Sequence, residues 1–257
     1  MKKVLSIIML AVLCSGTAFG WGKDGHAVIC KIAENHLQPS AKKTIEKYLG
    51  GHSIVRYSSW MDYYRETPEY GFTTSWHGAP VNKDLQYDES LVSSKKGNAI
   101  KGLEQAMETL KDYKNLPDST VAVNIKYVLH IVGDMHCPVH IYYPYGNVKY
   151  KVTPPASGPT GLHKVWDSSI ISWFNIYSPS EWAKELDLID KKEAKAIAAG
   201  TPREWLHDNA VRCEKHLYMS EPNQKLDKAF MVEAIQLIEV QLLYAGHRLA
   251  SVLNELF

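Results

Sequence analysis

The sequence predicts one all-α domain over roughly residues 21–257. Three observations predict it. Apolar residues recur at helical spacing through most of the chain. Strand-like alternation is nearly absent. No internal repeat and no low-complexity linker divides the chain into separate units.

The elements follow in order. Residues 1–20 read as a cleaved secretory signal: Lys2-Lys3, a ten-residue apolar run from Val4 to Leu13, then small residues at Ala18 and Gly20. The run is too short to span a bilayer as a helix of about 20 residues. Cys14 raises a lipoprotein alternative, but Leu13 before it is large for a lipobox. Residues 24–36 place Ala27, Val28, Ile32 and Ala33 on one helix face. A second helix starts near Ser40 and ends at Gly50-Gly51, since glycine tolerates the left-handed turn that closes a helix. Residues 99–113 carry Ile100, Leu103, Met107 and Leu110 on one stripe, and 119–137 are apolar all round, as a central buried helix would be. Residues 181–199, 202–217 and 224–256 read as three further helices, the last one long. Residues 141–161 read as a surface loop, with one weak strand candidate at Asn147 to Val152. No segment beyond the first twenty residues reads as a membrane span.

Composition narrows the classes. Hydrophobic residues make up 45% and charged residues 22%, which excludes a disordered tail, a collagen-like fibre and a disulfide mini-scaffold. The formal charge is +1, falling to −1 without the two signal lysines, so no general basic field announces nucleic acid. Cys30, Cys137 and Cys213 are odd in number and lack Cys-x-x-Cys spacing, so at most one pair forms within the chain. Eleven histidines direct attention to metal-ligand spacing.

His130 and Asp134 are four apart on the central helix and project from one face; His163 and Asp167 repeat that spacing. His140 follows Pro138, His26 opens the first helix, and Asp62 and His77 lie in the loop-rich stretch between. One such His/Asp pair is ordinarily a hydrogen bond on a helix surface. Two pairs on apolar surfaces are harder to dismiss, because burying them costs free energy unless something pairs with them. Imidazole and carboxylate suit zinc without thiolate. Signal cleavage makes Trp21 the N-terminus, whose amine and carbonyl oxygen can close a five-membered chelate; the bland alternative is that Trp21 is merely what the peptidase leaves. His36, His52, His207, His216 and His247 lack comparable spacing and read as surface or packing residues. His136 reads as a donor behind the ligands or a packing residue.

These residues resemble the S1/P1 nuclease family. The carriers are Trp21-Gly-x-x-Gly-His26, Trp60-x-Asp62-x-x-Arg65, Trp76-His77, His130-x-x-x-Asp134-x-His136-x-Pro138-x-His140 and Leu162-His163-x-x-x-Asp167, all in family order. Ala245-Gly246-x-Arg248-Leu249-Ala250 with Asn254 is similar to the family's last helix. The resemblance implies an all-α phospholipase C/P1 nuclease fold with three zinc ions in a cleft. It implies hydrolysis of single-stranded DNA and RNA to 5′-phosphate products, with 3′-nucleotides as further substrates. Asp62, His77, His130 and Asp134 would hold one zinc, and His140, His163 and Asp167 a second. Trp21, His26 and Asp134 would hold the third. Asp62 would also orient the attacking water, and Arg65 would contact phosphate as a planar fork of donors. Six ionic charges at one point would outweigh the weak net charge in recruiting a strand. Tyr142, Tyr143 and Tyr145, with Lys149 and Lys151 nearby, are candidate base and phosphate contacts, although loop tyrosines commonly pack the loop down.

Two departures affect the rim. After His77 the family usually carries an aromatic residue, then Asp or Asn; here Gly78-Ala79-Pro80 follows, with Asn82 a substitute partner for Arg65. After His140 only Tyr145-Gly146-Asn147 remains of a family turn. The rivals are a zinc-dependent phospholipase C, whose last ligand is Glu where this chain has Asp167, and a non-catalytic zinc- or nucleic-acid-binding protein. The expected chain is exported to a periplasm or the exterior, with no stable membrane association.

Overall fold

The computed structural model describes residues 21–146, 148–174 and 177–257. The signal reading of residues 1–20, and Asn147 of the weak strand, lie outside the described residues. Helix dominates: α1 is Lys23–Asn35, α2 Pro39–Tyr48, α3 Trp60–Tyr64, α4 Ala99–Leu110 and α5 Asp118–Asp134. A π-helical turn, Val165–Ser169, joins α6 Leu162–Lys164 to α7 Ile170–Trp173, and α8 Pro179–Leu186, α9 Lys191–Ala198, α10 Pro202–Cys213 and α11 Lys228–Leu256 complete the set.

The local chemistry explains the boundaries. Proline at the first turn opens α2, α8 and α10, where its missing N–H has no helical partner to lose. Ser178 with Glu181 and Thr201 with Glu204 form reciprocal capping boxes, and Asp227 caps Phe230 at the start of α11. Gly50 and Gly51 lie at φ 69° and 81° beyond α2. The single helix expected over 181–199 is two helices. Asp190 accepts from the Glu193 amide and starts α9 afresh, a competing cap that periodicity does not register.

Helix α1 packs most extensively on α11, and α4 on α5; α1 also meets α8 and α5. Helix α11 is long and apolar enough to cross a membrane, contrary to the expectation that no such segment follows the first twenty residues. Over half of its most apolar stretch, 56%, is buried within the domain, as in a core helix. Gly246 sets the α1–α11 approach: an added Cβ would lie 2.6 Å from Ile32 Cβ and 3.3 Å from the Ile29 carbonyl oxygen. Gly246→Ala is therefore expected to destabilise by about 1–3 kcal/mol. Thermal melting should report it at roughly 2–4 °C per kcal/mol, and an unchanged midpoint would refute the tight crossing.

The segment expected to be a surface loop, 141–161, is anchored. Ile141–Tyr142 (β2) pairs in parallel with Ala79–Pro80 (β1), and Lys151–Val152 (β3) pairs antiparallel with Thr160–Gly161 (β4). Thr153 exchanges backbone hydrogen bonds with Gln224 and Leu226. The β1–β2 pairing joins the chain just after His77 to the chain just after His140. Two histidines 63 residues apart are brought together by it.

Candidate metal centre

The last turns of α5 form the floor of the site. His130 and Asp134 are fully buried and adjacent, with His130 Nε2 3.2 Å from Asp134 Oδ2. His130 Nδ1 donates to the Ser58 carbonyl at 2.8 Å, which fixes the ring and leaves Nε2 facing the cluster. From α1, His26 stacks on His130 with centroids 4.0 Å apart and sets Nε2 3.2 Å from Asp134 Oδ1. Gly133 allows this approach, since a Cβ there would lie 2.8 Å from His26 Nδ1. His77 places Nδ1 2.7 Å from Asp134 Oδ2, and Asp62 from α3 places Oδ1 3.6 Å from His130 Nε2. His140 Nδ1 donates to the His77 carbonyl and its Nε2 lies 3.2 Å from His163 Nε2. His163 and His140 both face Asp167, at 3.0 and 3.5 Å.

Eight of the nine ligand candidates thus converge by side chain. Trp21, the ninth, is fully buried beside them, held because the Gly22 amide donates to the Asp167 carbonyl at 2.7 Å. Asp167 sits on the π turn, not on the regular helix that its spacing predicts; such turns widen the helix locally.

The donor set fits a metal. Six buried atoms without a hydrogen-bond partner belong to this cluster: both ring nitrogens of His26, His77 Nε2, Asp62 Oδ1, Asp134 Oδ1 and Asp167 Oδ2. Orphaned polar atoms are rare in folded proteins and need a partner. The groups His26/His130/Asp134, Asp62/His77/His130 and Cys137/His140/Asp167 each bring their ligand atoms within 4.8 Å of one another.

The electrostatics follow from packing anions with imidazoles. Burial opposes the charge on Asp134, but His130 and His140 outweigh it and hold its pKa well below the ordinary value. Burial would lower His130, yet Asp134 and Asp62 raise it to about 10; the same opposition raises His140 to about 9. Burial dominates at His77 and lowers it to about 4. In the metal-free protein His130 and His140 therefore carry protons at neutral pH. Both values lie above the ordinary histidine pKa, so their contribution to metal-free stability is complete below about pH 6.5 and is lost as pH rises through 9 and 10. A metal must displace these protons. Calorimetric zinc titrations in buffers of different ionisation enthalpy should show net proton release near pH 7 and affinity that rises with pH. Equal heats in all buffers would contradict this.

A cavity of about 310 Å³ opens over the cluster, lined by Arg65, Glu66, Thr74, His77, His140, Tyr142 and His163. A larger one of about 1000 Å³ shares Tyr142 and His163 and also meets Lys149 and Lys151. Arg65 Nη2 lies 3.7 Å from Asp62 Oδ1 and its Nε 3.9 Å from Glu66 Oε1. Asn82 does not serve Arg65: its side chain accepts from the Asp84 and Gln86 amides in its own turn.

The tyrosines separate. Tyr142 is 50% exposed, and its hydroxyl end occupies the space that a Cβ on Gly78 would need. An aromatic ring therefore stands beside His77 after all, supplied from β2 and admitted by the glycine. Tyr143 is buried, and its hydroxyl donates to the Ala210 carbonyl at 2.8 Å. Tyr145 donates to Glu214 at 2.5 Å and does not line either cavity. Both tyrosines hold the loop against the α10 end, and Tyr143 also lines the larger cavity.

Two residues near the centre make contacts that the sequence does not announce. Cys137, three before His140, donates its thiol to Asp167 Oδ1 at 3.2 Å; burial and Asp167 push its pKa well above the ordinary value. Cys30, Cys137 and Cys213 are all buried free thiols. The second is Arg248, with which His136 pairs instead of the ligands. Arg248 Nη1 donates to His136 Nε2 at 3.0 Å, and Asn209 and Gln241 cap the Met135 and His136 carbonyls. This network fixes the chain directly after Asp134.

The family model for S1/P1 nuclease matches residues 21–257. The chain belongs to the S1/P1 nuclease family. It is 27% identical to nuclease P1 of Penicillium citrinum, over 92% of this chain and 97% of that protein. It is 27% identical to nuclease PA3 of a Penicillium species over the same shares. It is 25% identical to endonuclease 2 of Arabidopsis thaliana over 100% and 99%. Membership makes this S1/P1-family chain a nuclease, a hydrolase of phosphodiester bonds, with its His/Asp groups as metal-binding candidates.

Proposed function

We propose that residues 21–257 form the mature, exported enzyme, a zinc-dependent endonuclease acting on single-stranded DNA and RNA. Its products carry 5′-phosphates, it also removes phosphate from 3′-nucleotides, and it makes no stable membrane association. The observation that carries this reading is the convergence of eight His and Asp side chains, five of which hold buried atoms without a hydrogen-bond partner.

Three zinc ions per chain would be held as follows. Asp62, His77, His130 and Asp134 hold one; His140, His163 and Asp167 hold the second; Trp21, His26 and Asp134 hold the third. When bound, the ions supply a reactive water at neutral pH and stabilise charge on phosphoryl oxygens. Asp62 is ionised, because His130 outweighs the effect of burial and lowers its pKa, so its carboxylate can accept a hydrogen bond from the attacking water and orient it. Arg65, at the cavity wall, offers a planar fork to a phosphate oxygen. The recessed floor is hard for a duplex to reach, which favours an unpaired strand whose bases can turn onto an aromatic face. Tyr142 is that face. Lys149 and Lys151, lining the larger cavity, meet the next phosphates.

Elemental analysis of protein never exposed to chelator, with hydrolysis of single-stranded DNA, RNA and 3′-AMP, tests the whole reading. About three zincs and nucleotide release are expected. One zinc or none, or release of phosphocholine from lipid instead, overturns it. Tyr142→Ala should raise KM for single-stranded substrate about tenfold, as loss of a stacked base costs about 1–3 kcal/mol, with zinc content unchanged. Unaltered KM would remove Tyr142 from the substrate path.

A further inference from the structure

We propose that His36, Asp187 and His247 form an additional zinc site, distinct from the candidate metal centre. His36 ends α1, ten residues beyond His26 and hence about 15 Å further along the helix axis. Asp187 ends α8, and His247 lies within α11. One carboxylate serves both rings: His36 Nε2 lies 2.6 Å from Asp187 Oδ2, and His247 Nε2 lies 3.0 Å from Asp187 Oδ1. The two rings are tilted at 48° to each other with centroids 4.5 Å apart, and all three ligand atoms lie within 4.8 Å of one another.

Zinc bonds of about 2.0–2.1 Å in a tetrahedron separate ligand atoms by roughly 3.3 Å. Each His–Asp pair here needs to open by less than about 1 Å to admit the ion. His–Asp pairs in the candidate metal centre run from 2.7 to 3.8 Å, a range that overlaps this one. The donor set is two imidazoles and one carboxylate, which suits zinc better than the oxygen-seeking calcium or magnesium. Exposure is graded: the His247 side chain is 4% exposed, Asp187 11% and His36 41%, so the site opens on one side for a water as fourth ligand.

The backbone around the site is fixed without help from these side chains. Asn254 Nδ2 donates to the His36 carbonyl at 2.9 Å, and the Gln38 amide donates to Asn254 Oδ1 at 2.7 Å. A metal there finds ligands already placed and clasps three helices, α1, α8 and α11, that pack on one another. The site is a clasp on the scaffold that carries His26, and cleavage does not pass through it.

The test compares mature protein with His36→Ala and Asp187→Asn, all purified without chelator and saturated with zinc chloride before desalting. The unaltered protein should hold one more zinc per chain than either variant. Added zinc should raise its melting temperature by more than it raises that of either variant. Calorimetry should show the last zinc binding at least tenfold more weakly in the variants, with cleavage rates within twofold. His36 is exposed, so its replacement keeps the fold even if Asp187→Asn does not. Equal zinc content and equal zinc-dependent melting shifts in the unaltered protein and His36→Ala would overturn the proposal. Because the readout is a difference between proteins, it stands or falls independently of how many ions the candidate metal centre holds.

Discussion

Asp134→Ala is expected to abolish cleavage, by on the order of 10³-fold or more, and to remove more than one zinc per chain. Asp134 is central because its two oxygens face different groups. Oδ2 meets His77 at 2.7 Å and His130 at 3.2 Å, while Oδ1 meets His26 at 3.2 Å and His140 at 3.6 Å. Alanine removes the one anion common to these imidazoles and leaves them buried without it. His163→Ala is the control. The His163 side chain is 29% exposed, and its ring meets His140 and Asp167, so its loss should disturb mainly one ion. Elemental analysis and single-turnover cleavage of both variants, with circular dichroism to check folding, measure the difference. Full zinc and full rate in Asp134→Ala would remove the central helix from the site.

A residue left before Trp21 is expected to lower zinc occupancy and reduce activity by at least about tenfold, and correct cleavage should restore both. The chemical reason is that an amide nitrogen has its lone pair delocalised into the carbonyl and is a poor ligand, whereas a free amine can chelate with its own carbonyl oxygen. The structural reason is that the backbone at this point is fixed. Trp21 is fully buried, the Gly22 amide is bonded to Asp167, and the His26 amide donates to the Gly22 carbonyl at 3.2 Å. Trp21 is thereby placed beside two of the ligand candidates. An extended chain cannot compensate by sliding, because that would break these bonds. Equal zinc content and equal rates in the extended and cleaved forms would show that Trp21 only packs.

Arg248 shows where reading from sequence stops. Its position in the last helix belongs to a motif of the family, yet nothing in the spacing says that it reaches His136, 112 residues away, and that Asn209 and Gln241 close the same network. Likewise Gly78 looks like the loss of an aromatic from the rim. Only the parallel pairing of β1 with β2 shows Tyr142 lying over it. His36 and His247, ordinary in sequence, become a pair only because α1 and α11 pack together and Asp187 bridges their Nε2 atoms.

The sequence by itself determined most of the longer helices, since apolar periodicity acts within a few residues, and it determined the two i, i+4 His/Asp pairs, which one turn of helix places side by side. It also carried the family motifs in order. The tertiary structure alone decided which distant groups meet: His26 on His130, the carbonyl of His77 on His140, Tyr142 over Gly78, and the clasp at Asp187. The physical reason is range. Local preferences are set by neighbours along the chain, whereas the approach of α1 to α11 is set by close packing of surfaces such as Gly246 against Ile32, which no short window of sequence contains.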